Sequence, residues 1–416
     1  MISTRLRALQ GQYPRQFWLL FWGLLISTLG ASMIWPFLMI YVSERLALPL
    51  GQVTGLMTLN AAMGLIFAFI AGPATDRLGR KWVMVISLAI NGLGYLVMSH
   101  AASFATFAVL MSISGAVNPL YRVGADAMMA DLIPPEKRMD AYSLLRMSNN
   151  VGVAMGPALG GVIAAVSYST AFYIAAAGMI IYSLLIAFLA RETLPKQEPQ
   201  ALPVRERFGG YDRILKDSRF MSFIAAFTIN QIVAAMMWVL LSVYAKQNYG
   251  VPESVYGLIP MTNALMVVFF QVWVTSKTKN RFPLKVLSVG ALFYAVGVGS
   301  VALGQGFLGF LISMVVMTVG ELIMTPTATT YAANLAPAEM RGRYMSLYGL
   351  TWGAASGIGP LLGGYLNDNI GPKAIWQGAF LIGLVSAVSF TLLSLLKRER
   401  KAEVQLRSEA EPVEEE

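Results

Sequence analysis

Four ionisable side chains stand where an apolar environment makes charge expensive. Glu321 lies in the run Thr318-Val-Gly320-Glu321-Leu-Ile-Met-Thr-Pro326, and Arg122, Asp126 and Arg146 interrupt two other apolar runs. Charged groups inside membrane-spanning segments are rare because they are costly, and they mark ion or substrate pathways. A carboxyl near the middle of such a segment can carry a proton and give it up when a cation or water arrives, the minimal chemistry of proton-coupled exchange. The alternative for Glu321 is a structural acid neutralised by an Arg from a neighbouring helix. Arg122 and Asp126 are one helical turn apart, so they can share a face and pair. Asp126 is then either a second proton site or a balance for Arg122 and Arg146, and the two guanidiniums could instead clamp a carboxylate or phosphate. Trp35, Asn60, Asn149, Asn150, Asn230, Gln231, Trp238 and Asn263, with Met236 and Met237, are the remaining pathway candidates. For each amide the alternative is a hydrogen bond that ties one helix to another.

Other chemistries are excluded by what the 416 residues lack. There is no Cys and a single His, His100, so neither a thiol nucleophile nor a His/Cys metal site can be built. No Gly-x-x-x-x-Gly-Lys-Ser/Thr loop is present to cradle a nucleotide phosphate, so energy is expected from a gradient or a partner rather than from ATP bound by this chain, and no cofactor is expected. Only 13% of residues are charged and 56% are hydrophobic, with mean hydropathy +0.61. A soluble domain carries about a quarter charged residues, so most of this surface must face lipid. The formal net charge of +9 is scattered through short loops rather than gathered on one stripe, which argues against nucleic acid as a partner.

The elements that position the buried charges are spanning helices of roughly 20 apolar residues each. Twelve are expected, near 16–43, 50–73, 82–100, 103–131, 139–166, 169–190, 220–246, 254–276, 285–304, 307–334, 342–366 and 374–396. The polar, basic stretch Met1 to Arg15 runs straight into the first of them, which is expected to serve as its own insertion signal. Placing the N-terminus in the cytoplasm puts Arg77, Arg80, Lys81, Lys137, Arg138 and the cluster Lys397 to Lys401 on that side. Only Arg45, Lys246 and Lys373 are left on the other. The positive-inside rule thus predicts a multi-pass cell-membrane protein with both termini cytoplasmic.

Residues 1–190 form the first six-helix bundle, 191–219 a cytoplasmic loop, 220–397 the second bundle and 398–416 a disordered cytoplasmic tail. The loop holds Pro195, Pro199, Pro203 and Gly209-Gly210, and its stretch Tyr211 to Lys216 is either a short amphipathic helix or a solvated loop.

An internal repeat relates the bundles. Met155-Gly156-Pro157-Ala158-Leu159-Gly160-Gly161 recurs as Ile358-Gly359-Pro360-Leu361-Leu362-Gly363-Gly364, an offset of 203 residues. The same offset pairs Pro134 with Pro337, Arg138 with Arg341, Trp35 with Trp238 and Tyr41 with Tyr244. Six spans per unit preserve orientation, so the repeats are parallel about an axis normal to the membrane, with the pathway between them.

Two motifs are more specific. The loop after the second span reads Gly72-Pro-Ala-Thr-Asp76-Arg77-Leu-Gly79-Arg80-Lys81, and the fifth span carries Gly152-x-x-x-Gly156-Pro157-x-x-Gly160-Gly161. The first resembles the signature loop of the major facilitator superfamily at every defining position, and the second resembles the motif that marks its drug:proton antiporters. The resemblance implies an all-α integral membrane protein with 12 transmembrane helices in two pseudo-symmetric six-helix bundles. It implies a gating latch, in which Asp76 faces the amino end of the eleventh helix and Arg80 reaches Asp131. The alternative for the basic residues is simple topology anchoring. The Gly-Glu pair at Gly320 and Glu321 is similar to that of multidrug efflux members. Two departures stand out: Ser112 occupies the place of the usual fourth-helix Arg, and the first span carries Ser27, Thr28 and Ser32 but no acid.

The expectation is a secondary active transporter, not an enzyme, that exports amphiphilic or cationic drug-like compounds against protons as a monomer among membrane lipids. The first alternative is a transporter of anionic metabolites or lipids using Arg122 and Arg146. The second is a transport-inactive receptor or assembly factor on the same fold.

Overall fold

The structure is a computed structural model that describes residues 12–194, 211–337 and 340–410. Six long helices build the first bundle: α1 Arg15–Leu46, α2 Leu50–Leu78, α3 Arg80–Met98, α4 Phe104–Leu132, α5 Pro135–Val166 and α6 Tyr168–Leu189. Six more build the second: α7 Ser218–Tyr249, α8 Leu258–Thr278, α9 Pro283–Gly299, α10 Gly306–Leu335, α11 Arg341–Asn369 and α12 Ala374–Ala410. Tyr211–Lys216 is a short helix that buries Ile214, so the amphipathic reading of that stretch holds. Most of the linker before it, 195–210, lies outside the described residues.

Local chemistry sets the ends. Ser103 and Ser167 accept the amides of Thr106 and Thr170 at the starts of α4 and α6, and Asp217 accepts those of Arg219 and Phe220 at the start of α7. Gly250, with φ of 64°, ends α7 in the left-handed region.

Eleven of the described helical segments are long and apolar enough to cross a membrane. The twelfth, α11, is 29 residues long but carries Gly342, Gly349, Gly353, Gly357, Gly359, Gly363 and Gly364, which lower its hydropathy. It packs along α2 rather than facing lipid on all sides, so it needs close approach more than apolar bulk. At the C-terminus α12 continues past Lys397, where the sequence suggested a disordered tail, to Ala410. The extension is rich in Arg, Glu and Ala, residues that favour the helix. Residues 411–416 lie outside the described part.

The repeat is visible as packing. A Cβ on Gly156 would meet Ser32 and Leu29 of α1, and a Cβ on Gly359 would meet Ala235 and Ile232 of α7, each partner displaced by the same 203 residues. Across the halves, Gly161 meets Glu253 at the start of the eighth span, while Gly364 meets Gly51 and Thr54 at the start of α2.

The two ends of the molecule differ. We call the end carrying Arg77, Arg80, Lys81 and Arg138 the basic end. At the opposite, far end, α2 and α11 interlock: Gly364 lies on Gly51, Thr58 donates to the Gly357 carbonyl at 2.8 Å, and Gly353 lies against Leu65. Along the same faces toward the basic end, Cβ atoms on Gly72 and Gly349 would meet nothing within 4 Å. The α2·α11 seam is thus closed at the far end and parted at the basic end.

Candidate functional site

Three of the four membrane-embedded charges converge. A cavity of about 360 Å³ in the basic-end half of the first bundle is lined by Arg122 and Asp126 of α4 and Arg146 and Asn149 of α5, with Tyr121, Tyr142, Leu20, Leu24, Ala125 and Leu145. The one-turn spacing does bring Arg122 and Asp126 to one face, but the expected ion pair is not formed: no carboxylate lies within 4 Å of Arg122 or Arg146 among the described residues. The cavity separates the side chains and leaves each to be solvated within it. Tyr121 and Tyr142, which no motif or charge pattern singles out, form its aromatic walls. The Tyr121 hydroxyl donates to that of Tyr182 at 3.3 Å, and Tyr142 donates to the Asp126 carbonyl at 3.4 Å.

Glu321 sits in the other half. It is held between α8 and α10, where the Asn263 amide donates both to its carboxylate at 2.8 Å and to Thr318 at 2.9 Å. At the neighbouring Gly320 a Cβ would come within 2.7 Å of the Gly290 carbonyl, so α10 is pressed on α9 and the acid is directed by close packing. Among the described residues no Lys or Arg lies within 4 Å of it, so the structural-acid alternative, neutralisation by an Arg, is not the arrangement found.

The remaining pathway candidates divide. Asn60 donates to the Met111 carbonyl and Asn149 accepts from Thr28, so both act at least in part as helix ties. Met236 and Met237 are fully buried in the core, which corrects their assignment to a pathway wall, and Trp238 is half-buried with one side packed against that core. Asn230 is fully buried with neither amide atom bonded, also inside packed protein. Trp35 is exposed, and Asn150 and Gln231 are half-buried.

The Gly72 to Lys81 motif, read from the sequence as a loop, is the end of α2, Gly79 and the start of α3, and residues beyond it order the turn. Gly79 has φ of 91°, a value that favours glycine, and the carboxylate of Glu192 accepts the Arg80 and Lys81 amides at 3.0 and 3.1 Å, capping α3. Arg80 reaches Asp131 at 3.2 Å, as the motif implied, and Thr193 donates to the same carboxylate at 3.0 Å. Asp76 pairs with Arg80 at 3.5 Å and is half exposed.

In the antiporter-type motif, Gly152, Gly156 and Gly160 seat α5 on α1, and Gly161 seats it on Glu253 across the halves. Because a Cβ at Gly161 would collide with the Glu253 carbonyl, Gly161→Ala is expected to loosen the far-end closure. Spin labels on single cysteines introduced at the far ends of α5 and α8 should report a longer mean distance in the variant.

The far end also holds a polar cluster that sequence reasoning missed. Lys246 of α7 pairs with Glu44 of α1 at 2.6 Å and with Glu253, to which Tyr168 of α6 also donates. Gln247 donates to Ser43 at 2.8 Å, and Asp368 of α11 accepts the Leu50 and Gly51 amides of α2 at 3.2 and 2.7 Å.

The sequence model described as Major Facilitator Superfamily matches residues 20–284 and 225–415. The chain belongs to that superfamily. Relatives of this major facilitator protein include the uncharacterised MFS-type transporter YttB of Bacillus subtilis, 28% identical over 91% of this chain and 95% of that one. A Na(+), Li(+), K(+)/H(+) antiporter of Planococcus maritimus is 25% identical over 79% and 84%, and the multidrug resistance protein MdtH of Escherichia coli is 25% identical over 89% and 91%. Among solved structures, a single-residue mutant of the nucleoside transporter NupG superposes with a TM-score of 0.76, at 13% identity, over 91% of this chain and 99% of that one. Family and fold are those of membrane transporters.

Proposed function

We propose that this protein is a proton-coupled exporter of amphiphilic, drug-like solutes that works by alternating access, with Glu321 as the proton carrier. The observation that carries the reading is the Glu321 carboxylate, set within a span, half-buried and bonded to a neutral amide rather than to a cation. Such a group can bind a proton from one side and lose it to the other without breaking an ion pair. The names of the cation/H+ antiporter and of MdtH support exchange and efflux in this branch of the family. The motif Gly152 to Gly161 agrees with them. The proton gradient supplies the energy, no cofactor is required, and the chain acts as a monomer in the cell membrane.

The positive-inside rule assigns the basic end to the cytoplasm, which makes this conformation inward-facing, with its first-bundle cavity in the cytoplasmic half. Everted vesicles containing the protein test the reading: amphiphilic solutes added outside should partly collapse an imposed acid-inside pH gradient, followed by a pH-sensitive dye. No solute-dependent collapse across a chemically varied panel would rule out proton exchange. A second reading, transport of anions, is favoured by one observation, the two guanidiniums in the cavity that have no carboxylate within 4 Å among the described residues.

The latch reading acquires a geometry in this frame. Closing the cytoplasmic seam would bring the faces of Gly72 and Gly349 together and carry Asp76 toward the amino end of α11, where the helix dipole favours an acid. Asp76→Asn should leave the inward-facing state intact and depopulate the outward-facing one. Spin-label distances between the basic ends of α2 and α11 should then lose their short component, while an unchanged distribution with lost transport would remove Asp76 from the latch.

A further inference from the structure

We propose that the first-bundle cavity is a charge-reading site for an aromatic zwitterion, holding the ligand's carboxylate between Arg122 and Arg146 and its ammonium against Asp126. This names the substrate class for the exchange reading above and rests on it.

Three other charged side chains deep in the bundles or at their ends are matched from within the chain: Lys246 by Glu44 and Glu253, Arg80 by Asp131 and Asp76, and Glu321 by Asn263. Arg122, Arg146 and the Asp126 carboxylate make no hydrogen bond or ion pair with any described residue, yet all three line one cavity. Enclosing an ion without a partner is costly. Water can meet these groups while the cavity is open, but when the halves rock and it closes, something must bring charges of opposite sign.

The composition of the cavity says which charges. Two guanidiniums and one carboxylate leave an excess positive charge. A simple cation would satisfy only Asp126 and face net repulsion. A simple anion would satisfy the guanidiniums, whose planar forks match a carboxylate bidentately, and leave Asp126 unmet. A zwitterion satisfies all three. The rest of the wall is apolar or aromatic: Leu20, Leu24, Leu145, and the rings of Tyr121 and Tyr142 with their hydroxyls tied to Tyr182 and to the Asp126 carbonyl. Anchored phenols beside leucines suit a flat ring. The volume lies within the range of pockets for small organic ligands, about 300–1,000 Å³.

The test is equilibrium binding to the full chain in nanodiscs, without any gradient, of three radiolabelled probes with one ring and different charges: L-tryptophan, indole-3-propionate and tryptamine. Tryptophan is expected to bind best, indole-3-propionate next, and tryptamine at least about tenfold more weakly than tryptophan, the worth of one charge-assisted contact. Arg122→Gln and Arg146→Gln should each weaken the first two probes by about tenfold, with Arg122→Lys intermediate. Asp126→Asn should weaken tryptophan and spare indole-3-propionate. Since neither arginine is bound to another described residue, these variants should melt as the wild type does. Equal affinities for the three probes, preference for tryptamine, absence of binding, or a lowered melting point with unchanged binding would each overturn the proposal. Glu321→Gln should bind tryptophan normally, so failure of the coupling reading and failure of this site are told apart.

Discussion

Glu321→Gln is expected to fold, insert and bind solute, yet to lose solute-driven proton movement down to the level of vesicles lacking the protein. The substitution is nearly isosteric, and its amide can keep a hydrogen bond between α8 and α10, since the Asn263 amide can still donate to the carbonyl oxygen of Gln. What it cannot do is ionise. A carrier that exchanges solute for a proton must visit one conformation protonated and the other deprotonated, and fixing the side chain in a neutral form removes that difference. Counterflow of labelled against unlabelled solute, which needs no net proton transfer, should survive. The pair of measurements separates a coupling residue from a structural one: loss of both activities together with a lowered melting temperature would assign Glu321 to packing. Asn263→Ala should have a milder effect, because it removes the donor that orients the carboxylate but leaves the titratable group. Wild-type pH dependence in Glu321→Gln at matched protein levels would transfer the proton to another group, Asp126 being the remaining deep carboxylate.

How far the sequence could reach is shown by particular residues. The twelve helices were legible because hydropathy integrates over roughly 20 residues at a time, and local errors average out. The repeat was legible because identical packing demands, Gly156 on Ser32 and Gly359 on Ala235, leave identical residues behind. Arg80 to Asp131 was legible through the motif. The fate of Arg122 and Asp126 was not: helical spacing fixes which face a side chain takes, but only the cavity between α1, α4 and α5 determines whether two ions touch. Met236 and Met237 were read as pathway candidates, and tertiary packing made them core. Glu192, which caps α3 from more than a hundred positions along the chain, and Asp368, which meets α2 across the halves, carry no local sign of their partners. Lys246 was visible as one of three cations on the far side, and its role appeared only when the fold brought Glu44 to it.

That cluster leads to the second large effect. Combining Glu44→Ala with Asp368→Ala is expected to shift the conformational equilibrium toward the state open at the far end, by about 1–2 kcal/mol or roughly five- to thirtyfold. Lys246 and Glu44 are partly exposed, with side-chain accessibilities of 26% and 43%, so solvent screening limits that pair to at most about 1 kcal/mol. Asp368 adds an interaction of a different kind. The chain enters α2 at Pro49 with no side-chain cap of its own, and the free amides of Leu50 and Gly51 are met by this carboxylate from the other half. An acid at a helix N-terminus is favoured by the dipole and by the amides it accepts, and the contact exists only while the halves are closed here. Both interactions are therefore specific to one state, the condition for a substitution to move an equilibrium rather than merely destabilise the fold. Distances between spin labels at the far ends of α2 and α11 should gain a long component in the double variant, and added salt should produce a smaller shift of the same sign in the wild type by screening Lys246 and Glu44. If the distances stay fixed while the melting temperature falls, the cluster holds the bundles together without gating them, and the seam of Gly51, Gly357 and Gly364 alone closes the far end.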